Sequence, residues 1–338
     1  MFIARLLLNV AFILISAYCA LAQHVALINS ENHASFRGLS VVNDKVIWVS
    51  GSKGTVGIST NNGNSWHFLV VQGFENRDFR DIEAFDGATA VIMAVGEPAV
   101  ILRTTNAGIS WKTVYENNTP GMFLDAMEFW NEESGIVLGD PVKGRFFITR
   151  TYDGGHTWKD ISFDKLPVAD SAEACFAASG TNVRVFDRNE ACFVSGGSRS
   201  KLFWRGTSIV LPVLQGKDSQ GGNSLAVWHR GSKSHQIIVV GGDFKADSSR
   251  TGNCTLSRDG GKSWIRPSNP PYGYRSCVEF ISETKLVCCG ITGVDISLDE
   301  GINWNNISAT GFHVCRKSKK GDAVFLAGEE GRIGRLIF

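Results

Sequence analysis

An excess of charge is missing from this chain. Its 34 Lys and Arg face 33 Asp and Glu, so the net charge is +1, and loss of Arg5 with an N-terminal leader would bring it to zero. With no basic run, there is no electrostatic case for a nucleic-acid partner. Other absences narrow the field further. No segment after residue 18 is long and apolar enough to span a bilayer, and nothing reads as a long amphipathic helix. There is no G-x-G-x-x-G between a strand and a helix, no haem-type C-x-x-C-H and no cluster of histidines: His67, His156, His229, His235 and His313 are scattered. No cofactor is therefore expected. No C-x-x-C or Cys/His group has zinc-ligand spacing, which leaves no expectation of a structural metal.

The first residues read as a secretory leader, with Arg5, an apolar run over residues 6–18 and Ala20-Leu21-Ala22 as a small-x-small cleavage site. This predicts a signal peptide over 1–22 and an exported, periplasmic or secreted protein beginning at Gln23, with no membrane span after leader removal. Cys19 does not fit a lipoprotein site, because bulky Tyr18 precedes it. Seven cysteines remain, Cys175, Cys192, Cys254, Cys277, Cys288, Cys289 and Cys315, an odd number. Most stand in apolar strand contexts such as Leu286-Val287-Cys288-Cys289. Buried small hydrophobes are favoured over disulfides.

What is present is a repeat. The pattern S/T-x-D/N-x-G-x-x-W occurs five times, at Ser59 to Trp66, Thr104 to Trp111, Thr151 to Trp158, Ser257 to Trp264 and Ser297 to Trp304. Asn61, Asn106, Asp153, Asp259 and Asp299 offer acceptors for backbone N–H groups two residues on, and the glycine can turn the chain at positive φ. Trp66, Trp111, Trp158, Trp264 and Trp304 then anchor the next strand with a large ring. The Trp spacings are 45, 47, 106 and 40, the third being two periods with one copy missing. In phase with these turns run seven glycines that close an apolar strand: Gly51, Gly96, Gly139, Gly196, Gly241, Gly290 and Gly328.

The S/T-x-D/N-x-G-x-x-W turn resembles the Asp-box, or BNR, repeat of sialidase-like β-propellers. The fuller order of strand, Gly, turn, strand, box and Trp, as in Trp48 to Val56 followed by the first box, resembles the photosystem II assembly/stability factor-like propellers. The likeness runs over most of residues 36–338. It implies a fold more than a function, since relatives of this kind also occur in bacteria without a photosystem, where similar sequences carry an oxidoreductase label. With the seven glycines it predicts one all-β domain over 23–338, a seven-bladed β-propeller of four-stranded blades with Asp-box turns. The last unit is one strand short, and residues 24–29 are placed to supply it, closing the ring. The fourth unit lacks a box, and its preceding connection, residues 159–180, is the longest in the chain. Connections of that length are usually functional or disordered.

Comparing blades on the aromatic that opens each inner strand aligns Phe36-Arg37, Phe79-Arg80, Phe123-Leu124-Asp125, Asn223, Tyr274-Arg275-Ser276 and Phe312-His313. Arg37, Arg80 and Arg275 would then converge at the mouth of the central channel. His313, Asp81, Asp125, Glu97, Asp140, Asp243 and Glu329 would stand around it, with the boxes on the opposite face. Several guanidiniums can grip a carboxylate or sulfate through forked, charge-assisted bonds. The other reading is that these arginines pair with the acidic turns to hold blades together. The leading expectation is a binding or assembly-type propeller that docks a protein segment or an acidic glycan. The alternative is a sialidase-like, glycan-active hydrolase at the same mouth. Against it, Gly38-Leu39 follows Phe36-Arg37 where the sialidase motif has Ile-Pro, and Tyr274 points away from its neighbour Arg275.

Overall fold

The structure is a computed structural model that describes residues 23–28, 30–186, 189–229 and 235–338. The leader expected over 1–22 lies outside these residues. Seven antiparallel sheets are arranged as the blades of a propeller. Blade 1 comprises Phe36–Val41, Ile47–Gly51, Thr55–Ser59 and His67–Val70, and blade 2 Phe79–Ala84, Ala90–Ala94, Ala99–Thr104 and Lys112–Asn117. Blade 3 comprises Leu124–Phe129, Gly135–Val142, Arg145–Thr151 and the short Lys159–Asp160. Blade 4 is Val183–Phe186, Glu190–Val194, Lys201–Trp204 and Thr207–Val210. In blade 5 the strands Gln220–His229, His235–Asp243 and Cys254–Ser257 are followed only by an isolated bridge from Leu256 to Ile265. Blade 6 is Cys277–Phe280, Leu286–Gly290, Gly293–Ser297 and Asn305–Ser308. Blade 7 joins Val314–Lys317, Val324–Ala327 and Ile333–Ile337 to the N-terminal strand His24–Ile28.

That last pairing closes the ring as expected, in a continuous register from His24 opposite Ile337 to Ile28 opposite Ile333. Asn29, the other end of the predicted strand, lies outside the described residues. Burial falls from the axis outward. Second strands such as Ala90–Ala94 and Leu286–Gly290 are buried at every residue, so they read as unbroken apolar runs. Outer strands such as His67–Val70 keep only their middle residues half-buried. The core is a series of clusters between adjacent blades, as a blade too thin to cover its own faces requires. All seven cysteines among the described residues are buried and free.

The five boxed turns lie between third and fourth strands, and their hydrogen bonds correct the expected reach. The box carboxylate or amide accepts from the N–H four residues on, not two: Asp153 Oδ1 from Thr157 at 3.0 Å, Asp259 Oδ1 from Ser263 at 2.9 Å, Asn61 Oδ1 from Ser65 at 3.0 Å. The opening hydroxyl accepts from the glycine N–H, also four residues on, as Ser297 Oγ does from Gly301 at 2.9 Å. In four boxes the indole N–H closes the loop on that glycine's carbonyl, at 3.0 to 3.2 Å. Each box also leans on the preceding blade. A side chain at Gly63 would meet Phe325 of blade 7, one at Gly155 would meet Val91 of blade 2, and one at Gly301 would meet Ile238 of blade 5. The box is therefore a clasp between blades as well as a turn.

The closing glycines have a different job from the one their position in a turn suggests. Gly51 and Gly290 do not adopt positive φ; instead the carbonyls of Ser35 and Tyr274 lie where their Cβ atoms would be. The inner strand is bulged beside this contact. Pairing skips a residue between Phe36 and Gly38, between Phe79 and Asp81, between Leu124 and Ala126, and between Gly222 and Ser224. A bulge leaves its extra residue out of the ladder and re-aims it. Here those residues are Arg37, Arg80, Asp125 and Asn223.

The boxes should differ in what their tryptophans hold. Trp304 is 2% exposed and its N–H is bonded, whereas Trp158 is half-buried and its N–H has no acceptor. Trp304→Ala should cost about 3 to 5 kcal/mol and Trp158→Ala measurably less. Urea unfolding of both variants checks this, and an equal or reversed order would refute the clasp geometry.

Candidate functional site: a channel mouth crossed by its own chain

The bulge residues Arg37, Arg80, Asp125 and Asn223 line one cleft of about 560 Å³, joined by Ser276 and His313 at the corresponding positions of blades 6 and 7. Phe123, Phe176, Phe244 and Tyr274 give it an aromatic wall. The unexpected occupant of the mouth is residues 175–181, the end of the long connection. This connection forms a 3-10 turn at Phe163–Lys165, then pairs Glu173–Ala174 with Gly196–Gly197 on the inner edge of blade 5. It then runs into the channel.

Side chains from four blades and a main-chain carbonyl from a fifth fasten it there. Arg37 Nη1 donates to Ala178 O at 3.2 Å, Arg80 Nη1 to Ala177 O at 3.3 Å, and Arg316 Nη2 to Gly180 O at 3.2 Å. The Cys175 N–H donates to Asp140 Oδ1 at 2.8 Å, and Ser179 Oγ to Ser276 O at 2.7 Å. Gly180 has a φ of +65°, and a side chain there would run into the Asp81 carboxylate. A left-handed turn against a buried carboxylate leaves room only for glycine.

Burial governs the electrostatics. It pushes the Asp125 carboxyl well above the ordinary range, with the neighbouring Asp140 adding to the rise, and it lifts Asp140 to about 6. Burial also lowers His313 to about 3, helped by Arg37 and Arg80, so its ring is neutral at ordinary pH. Arg37 is lowered by the same desolvation and then by Arg80. Arg80 is steadied by Asp78, with Nε 2.8 Å from Oδ2. The mouth thus holds two guanidiniums beside two carboxyls that burial makes harder to ionise, Asp125 most of all.

Of the residues singled out in the sequence, Arg37, Arg80, His313, Asp125, Asp140 and Glu329 are brought together. Arg275 is not. Gly290 abuts Tyr274 as Gly51 abuts Ser35, so Arg275 matches Phe36 and Ser276 matches Arg37. Alignment on the aromatic was one residue out, and a one-residue slip turns every side chain to the other face. Tyr274 therefore lines the mouth, while Arg275 lies in the core at 0% exposure. There its Nε donates to Asp295 Oδ2 at 2.6 Å and its Nη1 to Thr292 Oγ1 at 2.8 Å. Nη2 sits 2.5 Å from the same Asp295 oxygen without the alignment of a hydrogen bond. The convergence of three arginines expected from the sequence is not assembled.

Asp81, Glu97 and Asp243 also stand outside the cleft lining. Asp81 lies beneath the inserted segment, bound to the N–H groups of Met127 and Ile82. Glu97 is exposed and accepts from Gly121 N at 2.6 Å, and Asp243 accepts from Gln220 Nε2 at 3.0 Å. Sequence reasoning missed a charged network deeper in the channel: Arg184 reaches Glu279 at 2.7 Å and Glu128 at 3.2 Å, with Arg316 3.9 Å from Glu279. The signal was a charged residue inside apolar inner strands, as in Val183-Arg184-Val185 and Val278-Glu279-Phe280.

No protein-family model matches the chain, and no curated protein matches it in sequence. Solved structures do. A structure of YCF48 bound to D1 peptide is similar with a TM-score of 0.65 and 16% identity, covering 95% of this chain and 99% of that one. YCF48 from Cyanidioschyzon merolae gives 0.62 and 14%, covering 92% and 98%. The WD40 β-propeller domain of Doa1 gives 0.62 and 13%, covering 94% and 96%. At such identities the likeness establishes the shared propeller fold.

Two stability effects follow from the buried charges. Arg275→Ala leaves Asp295 unpaired in the core and should cost about 3 to 5 kcal/mol, read by chemical unfolding. Asp81 is pushed up to about 8, first by burial, with Arg316 and two backbone N–H groups pulling it back. Its folded value lies above the unfolded one, so its contribution is fully present below about pH 4 and lost as pH rises towards 8. Asp81→Asn removes the ionisation but leaves one of the two N–H groups without an acceptor, so the parent should melt higher near pH 4 and its advantage over the variant should shrink towards pH 8. Parallel melting curves for parent and variant would refute this assignment.

Proposed function

We propose that the chain is an exported binding propeller of the assembly-factor type, and that it docks an extended, acidic protein segment at the Arg37–Arg80 mouth. One observation carries the reading: the mouth already holds a run of main chain, its own residues 175–181, by guanidinium-to-carbonyl bonds. Beside that segment the cleft stays open and aromatic, with Phe244 39% exposed. Such a surface offers apolar anchors next to forked cation donors, a combination suited to peptide recognition. The likeness to a structure of YCF48 bound to D1 peptide supports a protein segment as the class of partner. The five boxed turns support affiliation with the Asp-box propellers, and the leader pattern supports export to the periplasm or beyond. No feature of the mouth favours a glycan-active or redox role.

The test is calorimetry with a panel of acidic peptides, with thermal stability measured in parallel. Arg80→Ala should weaken binding by about 1.5 to 3 kcal/mol, the value of a charge-assisted hydrogen bond, and Arg80→Lys should restore part of it. Asp140 titrates near 6, and protonating it removes a negative charge from the mouth. Affinity should therefore rise as pH falls from 7 to 5. Loss of stability in Arg37→Ala and Arg80→Ala with unchanged affinity would show that these arginines serve only to fasten residues 175–181.

A further inference from the structure

Three cysteines that are far apart in sequence meet inside the ring. Cys277 is on the inner strand of blade 6, Cys289 is its direct partner on the second strand, and Cys315 is on the inner strand of blade 7. All three are 0% exposed. Their sulfurs lie within 4.8 Å of one another, with Cys277 and Cys315 3.6 Å apart. We propose that Cys277, Cys289 and Cys315 form a three-thiolate site for a soft monovalent metal ion, Cu(I).

The geometry fits the size of such an ion. Three sulfurs bound at about 2.3 Å around a trigonal centre stand about 4.0 Å apart, inside the observed range. No His, Asp or Glu joins the group among the described residues, so the donor set is sulfur alone. An all-thiolate set favours Cu(I) over harder ions, whereas zinc ordinarily takes a fourth ligand. The Cys315 N–H donates to Cys277 Sγ at 3.3 Å, an outer contact of the kind that orients a metal-bound sulfur. In the free thiol, Cys277 donates to the Cys315 carbonyl, also at 3.3 Å, and that proton is what the metal replaces. Each sulfur that binds releases its proton to solvent, and the metal enters already reduced. Arg316 and Arg184 act on Cys277, and Arg275 on Cys289, but these guanidiniums are shared with Glu128, Glu279 and Asp295, so they offset the thiolates only in part. Thr181 Oγ1 of the inserted segment is 3.7 Å from Cys277 Sγ, so the segment that crosses the mouth also covers the site.

The experiment is Cu(I) binding by the full reduced chain against a chromophoric Cu(I) competitor, with loading both on the folded protein and during refolding because the site is enclosed. The expected result is one Cu(I) retained per chain, with X-ray absorption showing sulfur ligands alone at about 2.3 Å. Cys277→Ser, Cys289→Ser and Cys315→Ser should each lower the affinity at least about tenfold. Cys192→Ser, buried in blade 4, should leave it unchanged. Failure to retain Cu(I) under either loading, or retention undiminished in all three variants, would overturn the site. So would a mass loss of two with a Cys277–Cys315 crosslinked peptide, which would make this a disulfide pair. Should the variants misfold, the parent's stoichiometry and ligand set still decide the matter.

Discussion

A main-chain carbonyl pressed against a glycine is the contact on which the channel-mouth end of this ring depends. In blades 1, 3, 5 and 6 the inner strand places the carbonyls of Ser35, Phe123, Gly221 and Tyr274 where the Cβ atoms of Gly51, Gly139, Gly241 and Gly290 would be. The approach is possible only without a side chain, and in blades 1, 3 and 5 a bulge beside it aims one residue at the axis. The identity of that residue is then free to vary, as Arg37, Asp125 and Asn223 show, because the strand is held by its backbone. Rigid backbone and variable side chain together make a mouth whose chemistry can change without disturbing the blades.

The opposite end of the blades is built on different physics. The box turns satisfy their own N–H groups with side-chain oxygens and set glycines and tryptophans against the preceding blade. Fold-making and mouth-lining residues are thus separated by the length of a strand. Between the two ends, Arg184, Glu128, Glu279 and Arg316 line the channel with paired charge. Pairing makes ions tolerable there, since an isolated buried charge is costly.

Much of this architecture was legible in the sequence because it is repeated. The boxes and the closing strand could be read as patterns, and the seven sheets followed from the count of glycines. Gly96 shows the limit of that reading: nothing lies within 4 Å of a side chain built there, and in blade 2 it is Ala94 that pairs with Phe79. Arg275 was misplaced because Tyr274 looked like the aromatic of its neighbours, whereas register is set by backbone contacts that a sequence does not display. The insertion of residues 175–181 was hidden for a related reason. A connection has no period, and its anchors are carbonyls, which every residue has. The meeting of Cys277, Cys289 and Cys315 arises from lateral neighbours in two blades and has no spacing along the chain.

The strand His24–Ile28 gives the ring a history as well as a shape. It is the first of the described strands and its partner Ile333–Ile337 is the last of them, so the seventh sheet joins residues about 300 positions apart in sequence. Such a contact forms late, after the entropy of a long closure has been met, and it slows folding relative to chains built from near neighbours. Until then the first strand has no partner and blade 7 has a bare edge. Once made, the latch holds His24–Ile28 and Ile333–Ile337 in one sheet, so pulling these two strands apart loads a single five-residue seam.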